Sequence, residues 1–288
     1  MAVLVKTADL PKLLTRLEEF LPWSLKVYGE LKANLSGKWP GFDFFVDQWP
    51  DFNVVVSKAD PTKTKSLYIN NVCSVYSKDE TVLKKILSLP DFLDWSKRII
   101  FGAVTIHLCD VIKETARENG STVDDNDCDW LQADSSSLVV VPIPDGMTLK
   151  PLDSSPETVE IVTKNWEYSA CGAGAYIKTL IESFPSRCLY DKDHTLIGYA
   201  CGQPYGTMGM LFVWPEFRKR GYGKVIMSQL ADAYVQNGDK PSVCIDQDNQ
   251  VSRKFHEGLG FKVIPDMTIS WLSVTPKGQK CGGNTCCV

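Results

Sequence analysis

Arg218, Lys219 and Arg220 directly precede Gly221-Tyr222-Gly223-Lys224 in a chain whose formal net charge is −4. Three adjacent cations followed by two glycines suit a diphosphate. The cations supply charge, and the glycines let a phosphate come close to the main chain. The flanking residues say how such a group would be held. Residues 210–214 are continuously apolar and predict a strand buried on both faces. Pro215 cannot donate to a sheet ladder and ends it. From Tyr222 onward, apolar residues recur at Ile226, Leu230 and Ala233, which predicts a helix opening at the glycines. Its first N–H groups lack intrahelical acceptors and carry partial positive charge, so backbone and side chains converge on one anion.

Spacing separates the motif classes that could claim this stretch. A Walker loop needs Ser or Thr after Gly-Lys and a glycine five residues before, where the chain has Val225 and Arg218. A dinucleotide fingerprint needs a third glycine at position 226, which is isoleucine. Arg218-Lys-Arg-Gly221-Tyr-Gly223 instead resembles the Arg/Gln-x-x-Gly-x-Gly/Ala acyl-CoA signature of the GCN5-related N-acetyltransferase superfamily. Residues 241–246 predict a further strand, followed by a stretch that ends in Leu259-Gly260-Phe261. This is similar to the superfamily's next element, a helix begun by an Asn and closed by Leu-Gly-Phe. Asn249 fits as its N-cap and Gly260 as its helix-ending glycine.

The whole chain, 288 residues, holds one large or two modest domains. With 44% hydrophobic and 23% charged residues it has the composition of an ordinary globular protein. Its basic charge is local, which excludes a general nucleic-acid binder. No apolar run approaches the roughly 20 residues that span a bilayer. The first residues, Met-Ala-Val-Leu-Val-Lys-Thr-Ala-Asp, are too short in apolar length for a secretory signal and lack an arginine-rich presequence. The ten cysteines show no paired metal spacing and read as reduced thiols, so no metal site is expected. The tail from Cys281 to Val288 is glycine-rich and reads as disordered, with Thr285 where a prenylation box needs cysteine.

The elements that must position the cradle follow from periodicity. Leu10, Leu13, Leu14, Leu17 and Leu21 predict an amphipathic helix. Ser24-Leu-Lys-Val-Tyr28 alternates like a strand, and 42–46, 52–56 and 72–77 read as three more, with a turn at Trp49-Pro50-Asp51. Residues 81–89 and 99–118 read as helical, with His107 as a structural residue. Residues 120–137 are polar, acidic and turn-rich and predict a linker between an N-terminal domain, 1–119, and a C-terminal domain, 138–275, with a tail over 276–288. Strands are expected at 138–141 and 147–150, helices at 156–166 and 175–184, and a hairpin at 187–201. The resulting order, β-α-α-β-β-β-α-β-α-β, is that of the acetyltransferase fold.

The resemblance narrows further. Leu25-Lys-Val-Tyr-Gly29, Asp47-Gln-Trp-Pro-Asp-Phe52, Asn165-Trp166, Ser183-Phe-Pro-Ser186 and Pro215-Glu-Phe-Arg218 together resemble the glycine N-acyltransferase family of vertebrates. The matches run in order across both halves. They imply a mixed α/β fold, with an acyl-CoA site in the C-terminal half and a degenerate copy of the same fold in the N-terminal half. They also imply an enzyme that joins an acyl group from acyl-CoA to glycine or another small amino acid, releasing CoA. Acyl-CoA is then a co-substrate, no prosthetic group is expected, and the chain is expected to act as a monomer in the mitochondrion or cytoplasm.

Such chemistry has an amine attack a thioester carbonyl. It requires that the ammonium lose a proton, that an oxyanion be stabilised and that a thiolate leave. Backbone groups of Phe212 and Val213 are the expected oxyanion and pantetheine contacts, and Arg218 to Lys224 the diphosphate contacts. Two departures from the relatives stand out. Many acetyltransferases carry a tyrosine acid before Leu-Gly-Phe, and the matching residue is His256, which could relay a proton near neutral pH. The family's glutamate base matches Thr207, which could only position a water, and the family's Gly-Gly-Asn reads Ser169-Ala170-Cys171. Glu216, Asp246 and Asp248 are the carboxylates nearby in sequence. Acetylation of another amine, such as a polyamine or protein lysine, and acyl-CoA binding with weak catalysis both stay open.

Overall fold

The computed structural model describes residues 1–64, 68–170 and 172–278. It divides into two compact units, one holding Met1–Cys128 and the strand from Asp266 onward, the other Asp129–Ser169 and Ala173–Pro265. In chain order the elements begin β1 Val3–Leu4, α1 Leu10–Glu18, α2 Leu25–Leu35, β2 Phe42–Val46, β3 Val54–Ala59, β4 Val72–Ser77, α3 Glu80–Leu87, β5 Ile99–Thr105, α4 Cys109–Glu118 and β6 Ser121–Gln132. They continue β7 Thr148–Lys150, α5 Pro156–Asn165, α6 Ala173–Ser183, β8 Ser186–Tyr190, β9 Leu196–Gly202, β10 Met208–Val213, α7 Tyr222–Gln236, β11 Ser242–Asp246, α8 Gln250–Glu257 and β12 Lys262–Pro276.

In the first unit β1, β2, β3 and β4 form an antiparallel run, and β5 joins β4 in parallel with Val72 opposite Ile100. Alternation along these strands sorts the side chains by face. Val54, Val56, Cys73, Val75 and Phe101 pack against Leu83, Ile86 and Leu87 of α3 and Ile112 of α4. Ser74 points the other way, and its Oγ donates to Glu30 Oε1 of α2 at 3.1 Å. Leu10, Leu13 and Leu17 are the buried stripe of α1, as their spacing predicts, while Leu21 lies beyond the helix end.

Four expectations from the sequence are corrected here. Ser24–Tyr28 is not a strand but the start of α2. Over five residues an alternating pattern is also an i, i+4 pattern, and here Lys26 with Glu30 and Val27 with Leu31 share the buried side of a helix. Residues 99–105 are strand, not helix. Ile-Ile-Phe-Gly-Ala-Val-Thr is β-branched and has no polar stripe, which suits a strand paired on both edges, with β4 on one side and β12 on the other. The helix resumes at Cys109, and His107 falls in the exposed connecting turn. The acidic stretch expected to link the domains is strand β6 over its first two thirds. Asp124, Asp125 and Asp127 point to solvent while Cys128, Trp130 and Leu131 are buried, and Lys113 pairs with Asp125. The unit boundary lies inside this strand, between Cys128 and Asp129. Finally, residues 138–141 join no ladder. Val139 N–H donates to Leu259 O at 2.9 Å and Val141 N–H to Ser228 Oγ at 3.0 Å, so this segment is tied down by single bonds.

The second unit keeps the order read from the sequence between β7 and β12. Its sheet runs β10-β9-β8-β7, all antiparallel. Ile226, Leu230, Ala231 and Tyr234 of α7 cover one side with Ile197, Val243 and Ile245. α5 and α6 contribute Val162, Ile177 and Leu180 to the buried set. Among the described residues no helix is long and apolar enough to cross a membrane, and no three His, Cys, Asp or Glu side chains cluster as metal ligands would.

Inside the first unit, Lys26 Nζ lies 2.8 Å from Glu30 Oε1, with side chains 5% and 2% exposed. A buried pair of this kind gains little over an apolar pair but is costly to break. Lys26→Ala is therefore expected to lower the unfolding free energy by about 3–5 kcal/mol, while Lys26→Met with Glu30→Leu restores most of it. Urea denaturation checks this, and equal midpoints for wild type and Lys26→Ala would show that the pair carries no stability.

Candidate active site

The strand that opens the site is irregular where it matters. Gly209 pairs with Cys201 and Phe212 with Tyr199, so Met210 and Leu211 together oppose Ala200 alone. This is a β-bulge, with Met210 in the left-handed region at φ 54°. β10 is the last strand of its sheet, and its contact with β11 is one parallel bridge, Thr207 to Ser242. Beyond that bridge the outer edge of β10 faces no described strand. The expected burial on both faces is corrected accordingly. Met208 is buried, whereas Gly209 to Val213 are partly exposed.

Past Val213 the chain turns through a short 3-10 segment, Pro215–Phe217, into Gly221, the N-cap of α7. Gly221 sits at φ 85°, and a Cβ there would meet nothing within 4 Å. The space before the helix is open, and no side chain caps it. The N–H groups of Tyr222 and Gly223 are first-turn donors without intrahelical partners. Gly223 lies where a Cβ would be 3.6 Å from Phe255 and 3.7 Å from Leu211, which joins α7, α8 and the bulge at one corner. Arg218, Lys219, Arg220 and Lys224 are all exposed around this helix end. Arg218 folds back, its Nε donating to Val213 O at 2.8 Å and its guanidinium lying 5.7 Å from the Phe212 ring centre.

Beside the bulge is a cavity of about 220 Å³. Met210 and Leu211 form one wall, Tyr199 another, and Val162, Asn165, Trp166, Glu167 and Tyr168 the rest. Trp166 lies 5.6 Å from Tyr176 and 6.4 Å from Tyr168 between ring centres, and Tyr199 stacks on Phe212 at 5.8 Å. Burial drives the Tyr199 phenol far up from its ordinary range, so it stays protonated. Of these residues the sequence flagged Met210 and Leu211 as part of the opening strand, and Asn165 and Trp166 as part of a resemblance. The rest come from separate elements, and no local pattern joins them.

Three other residues singled out in the sequence lie apart from the cavity wall. Thr207 is 2% exposed at the closed end of the β10–β11 gap, its carbonyl accepting from Gln203 N–H at 2.8 Å. Asn249 caps α8, Oδ1 accepting from Ser252 N–H at 2.9 Å. His256 is 6% exposed and meets Phe255 and Phe261 edge to face at 4.9 and 5.7 Å. Its Nδ1 is 2.9 Å from Ser252 O. A carbonyl oxygen only accepts, so Nδ1 carries the hydrogen and Nε2 is bare. Among the described residues Nε2 has no partner. Burial pushes the His256 pKa below its ordinary value, against a smaller opposite effect of the Ser252 carbonyl. Glu216, Asp246 and Asp248 do not line the cavity. Ser169 N–H donates to Trp166 O at 3.0 Å, closing a turn, and Cys171 lies outside the described residues.

The chain is similar to known proteins over most of its length. The family model for aralkyl acyl-CoA:amino acid N-acyltransferases matches residues 1–185, and that for FR47-like proteins matches 188–272. Bovine glycine N-acyltransferase is 25% identical over 277 residues, covering 88% of this chain and 93% of that protein. Bovine glycine N-phenylacetyltransferase is 22% identical over 284 residues, covering 91% and 96%. A solved Drosophila protein superposes with a TM-score of 0.82 at 16% identity, over 96% of this chain and 99% of that one. A tandem GNAT protein from the clavulanic acid biosynthesis pathway gives 0.56 at 12% identity, over 97% and 99%. The structures establish the fold, a GCN5-related N-acetyltransferase fold. With the first family model alone spanning residues 1–185, the chain belongs to the aralkyl acyl-CoA:amino acid N-acyltransferase family.

Proposed function

We propose that this protein conjugates amino acids, transferring an acyl group from acyl-CoA to glycine or another small amino acid and releasing CoA. The observation that carries the reading is the open edge of β10, which runs from a bulge to the glycine-capped end of α7. A pantetheine arm carries amides and can add to such an edge as a further strand would, through the main chain of Val213, while Phe212 beside it is turned to the β9 ladder. Its diphosphate then meets the N–H groups of Tyr222 and Gly223, with Arg218, Lys219, Arg220 and Lys224 around it. The thioester carbonyl reaches the bulge, where Met210 and Leu211 together oppose one residue of β9. We assign the oxyanion contact to that pair, just upstream of Phe212 and Val213. The aromatic cavity next to the bulge receives the acyl group and the amine.

The attacking amine expels CoA as a thiolate. A thiol ionises near roughly pH 8.5, so departure needs little acid help. His256 suits that task poorly, because Nδ1–H is committed to Ser252 and burial keeps Nε2 unprotonated. Its position fits support of the α8 packing. A second reading rests on one observation. Among the described residues the cavity wall carries Glu167 and no Arg or Lys, which favours an amine acceptor without a carboxylate.

Thiol release from benzoyl-, phenylacetyl- and long-chain acyl-CoA is expected with glycine or another small amino acid. Release only with amines that lack a carboxylate would select the second reading. CoA binding without release from any pair would leave a binding protein. For the cradle, Gly221→Glu is expected to weaken CoA affinity at least ~100-fold, about 2.7 kcal/mol, by calorimetry. Gly221→Asn, which tolerates a left-handed backbone, controls for the fold, and retained affinity in Gly221→Glu would sink the diphosphate assignment. For His256→Phe, thiol release is expected to lose far less than the roughly 100-fold that removing a general acid costs. Folding adds a separate signature. The unfolded histidine gains a proton below about pH 6.5 while the buried one resists it. Stability therefore drops as pH falls from that value toward the depressed folded pKa, and His256→Phe lacks this drop. Parallel pH–stability curves for the two proteins would refute the burial argument.

A further inference from the structure

The transfer needs a base for the acceptor ammonium, and Thr207, at the matching position, has neither the proton affinity nor the placement. It is buried at the closed end of the gap, away from the cavity wall. We propose that Glu167 is the general base, so that the function has moved from the strand to the loop after α5. This rests on the transferase reading above.

Among the described residues, Glu167 is the one carboxylate on the wall of the cavity that adjoins the bulge. The other polar groups there fail as bases. Tyr199 is held protonated by burial, and Asn165 is an amide whose Nδ2 donates to Ile161 O at 3.0 Å. Glu167 is also held in place. The bond from Ser169 N–H to Trp166 O makes 166–169 a four-residue turn with Glu167 at its second position. Trp166 fixes that turn by packing on Tyr176, whose hydroxyl donates to Gln203 Oε1 at 2.6 Å. Glu167 itself stays exposed, as a group must that takes a proton from an incoming substrate and passes it to water.

The step balances without another reagent. Glu167 removes one proton from the acceptor ammonium, and the freed amine nitrogen forms a C–N bond to the thioester carbon. The carbonyl electron pair moves to oxygen at the bulge, then returns as the C–S bond breaks and CoA leaves as thiolate. The second nitrogen proton is lost as the amide forms, so acyl-CoA and the ammonium give amide, CoA thiol and one proton to solvent.

The test compares Glu167→Gln with wild type using two acceptors, glycine and aminoacetonitrile. The amine of aminoacetonitrile is already neutral at the assay pH and needs no base. With glycine, kcat is expected to fall ~100-fold at unchanged acyl-CoA KM. With aminoacetonitrile it is expected to change less than about threefold, and Glu167→Asp should recover part of the glycine rate. Equal losses with both amines would mean a positioning role, and no loss with glycine would mean the base lies elsewhere. Either result overturns the assignment while leaving the transferase reading intact. Absence of wild-type turnover with every amine would overturn both.

Discussion

An unpaired strand edge is the constraint on which the rest of this site depends. Exposed ladder groups are a liability in most proteins, and they persist where something else pairs with them. β10 and β11 start together at the Thr207–Ser242 bridge, and no further ladder joins them. The bulge at Met210 and Leu211 adds to this, since a bulged strand bends and twists more strongly. The glycine-capped end of α7 then lies at the end of the chain segment that leaves the edge. Acyl-CoA has the complementary layout, with amides along the arm and a diphosphate beyond.

The first unit shows what happens when the same local geometry is closed. β5 also carries a bulge, with Gly102 and Ala103 opposite Trp271 and Ala103 at φ 49°. A short 3-10 turn and helix α4 follow, as they do after β10. Here β12 pairs along the edge that β10 leaves free. A Cβ on Gly102 would already lie 3.0 Å from both Lys26 Cε and Trp271 Cζ3, so side chains fill the place beside the bulge. The turn into α4 contains no glycine, and Leu108 stands at the N-cap. Bulge without open edge and cradle gives a core, which is why the proposed acyl-CoA site is assigned to the second unit.

What could be read in the sequence was what is decided locally. The cradle was legible because cations, glycines and a helix start lie within seven consecutive residues, 218–224. The β7-to-β12 order was legible because its elements are amphipathic or apolar and bounded by turns. Failures came where two periodicities fit one short run, as at Ser24–Tyr28, or where composition hid a ladder, as in β6. In β6, three exposed aspartates outweighed Trp130, which is fully buried. The bulge was illegible for a stronger reason. Nothing in Met-Gly-Met-Leu marks a left-handed methionine, which pairing to β9 imposes from outside. Glu167 was hidden in the same way, since only the fold sets residue 167 beside 210 and 211.

Charge at the cradle works against the helix it surrounds. Arg218, Lys219, Arg220 and Lys224 flank the positive end of α7, and no acidic residue stands in its first turn. A helix ordinarily gains about 0.3–1 kcal/mol from an anion at this end and loses a similar amount to a cation. Four cations therefore oppose the helix dipole and one another. The Arg218 bond to the Val213 carbonyl relieves one in part, at the end of the strand edge. A capping Ser or Asp at position 221 would satisfy a first-turn N–H, but it would fill the space that Gly221 leaves open. The residues that weaken this helix end are the ones that would favour an anion there.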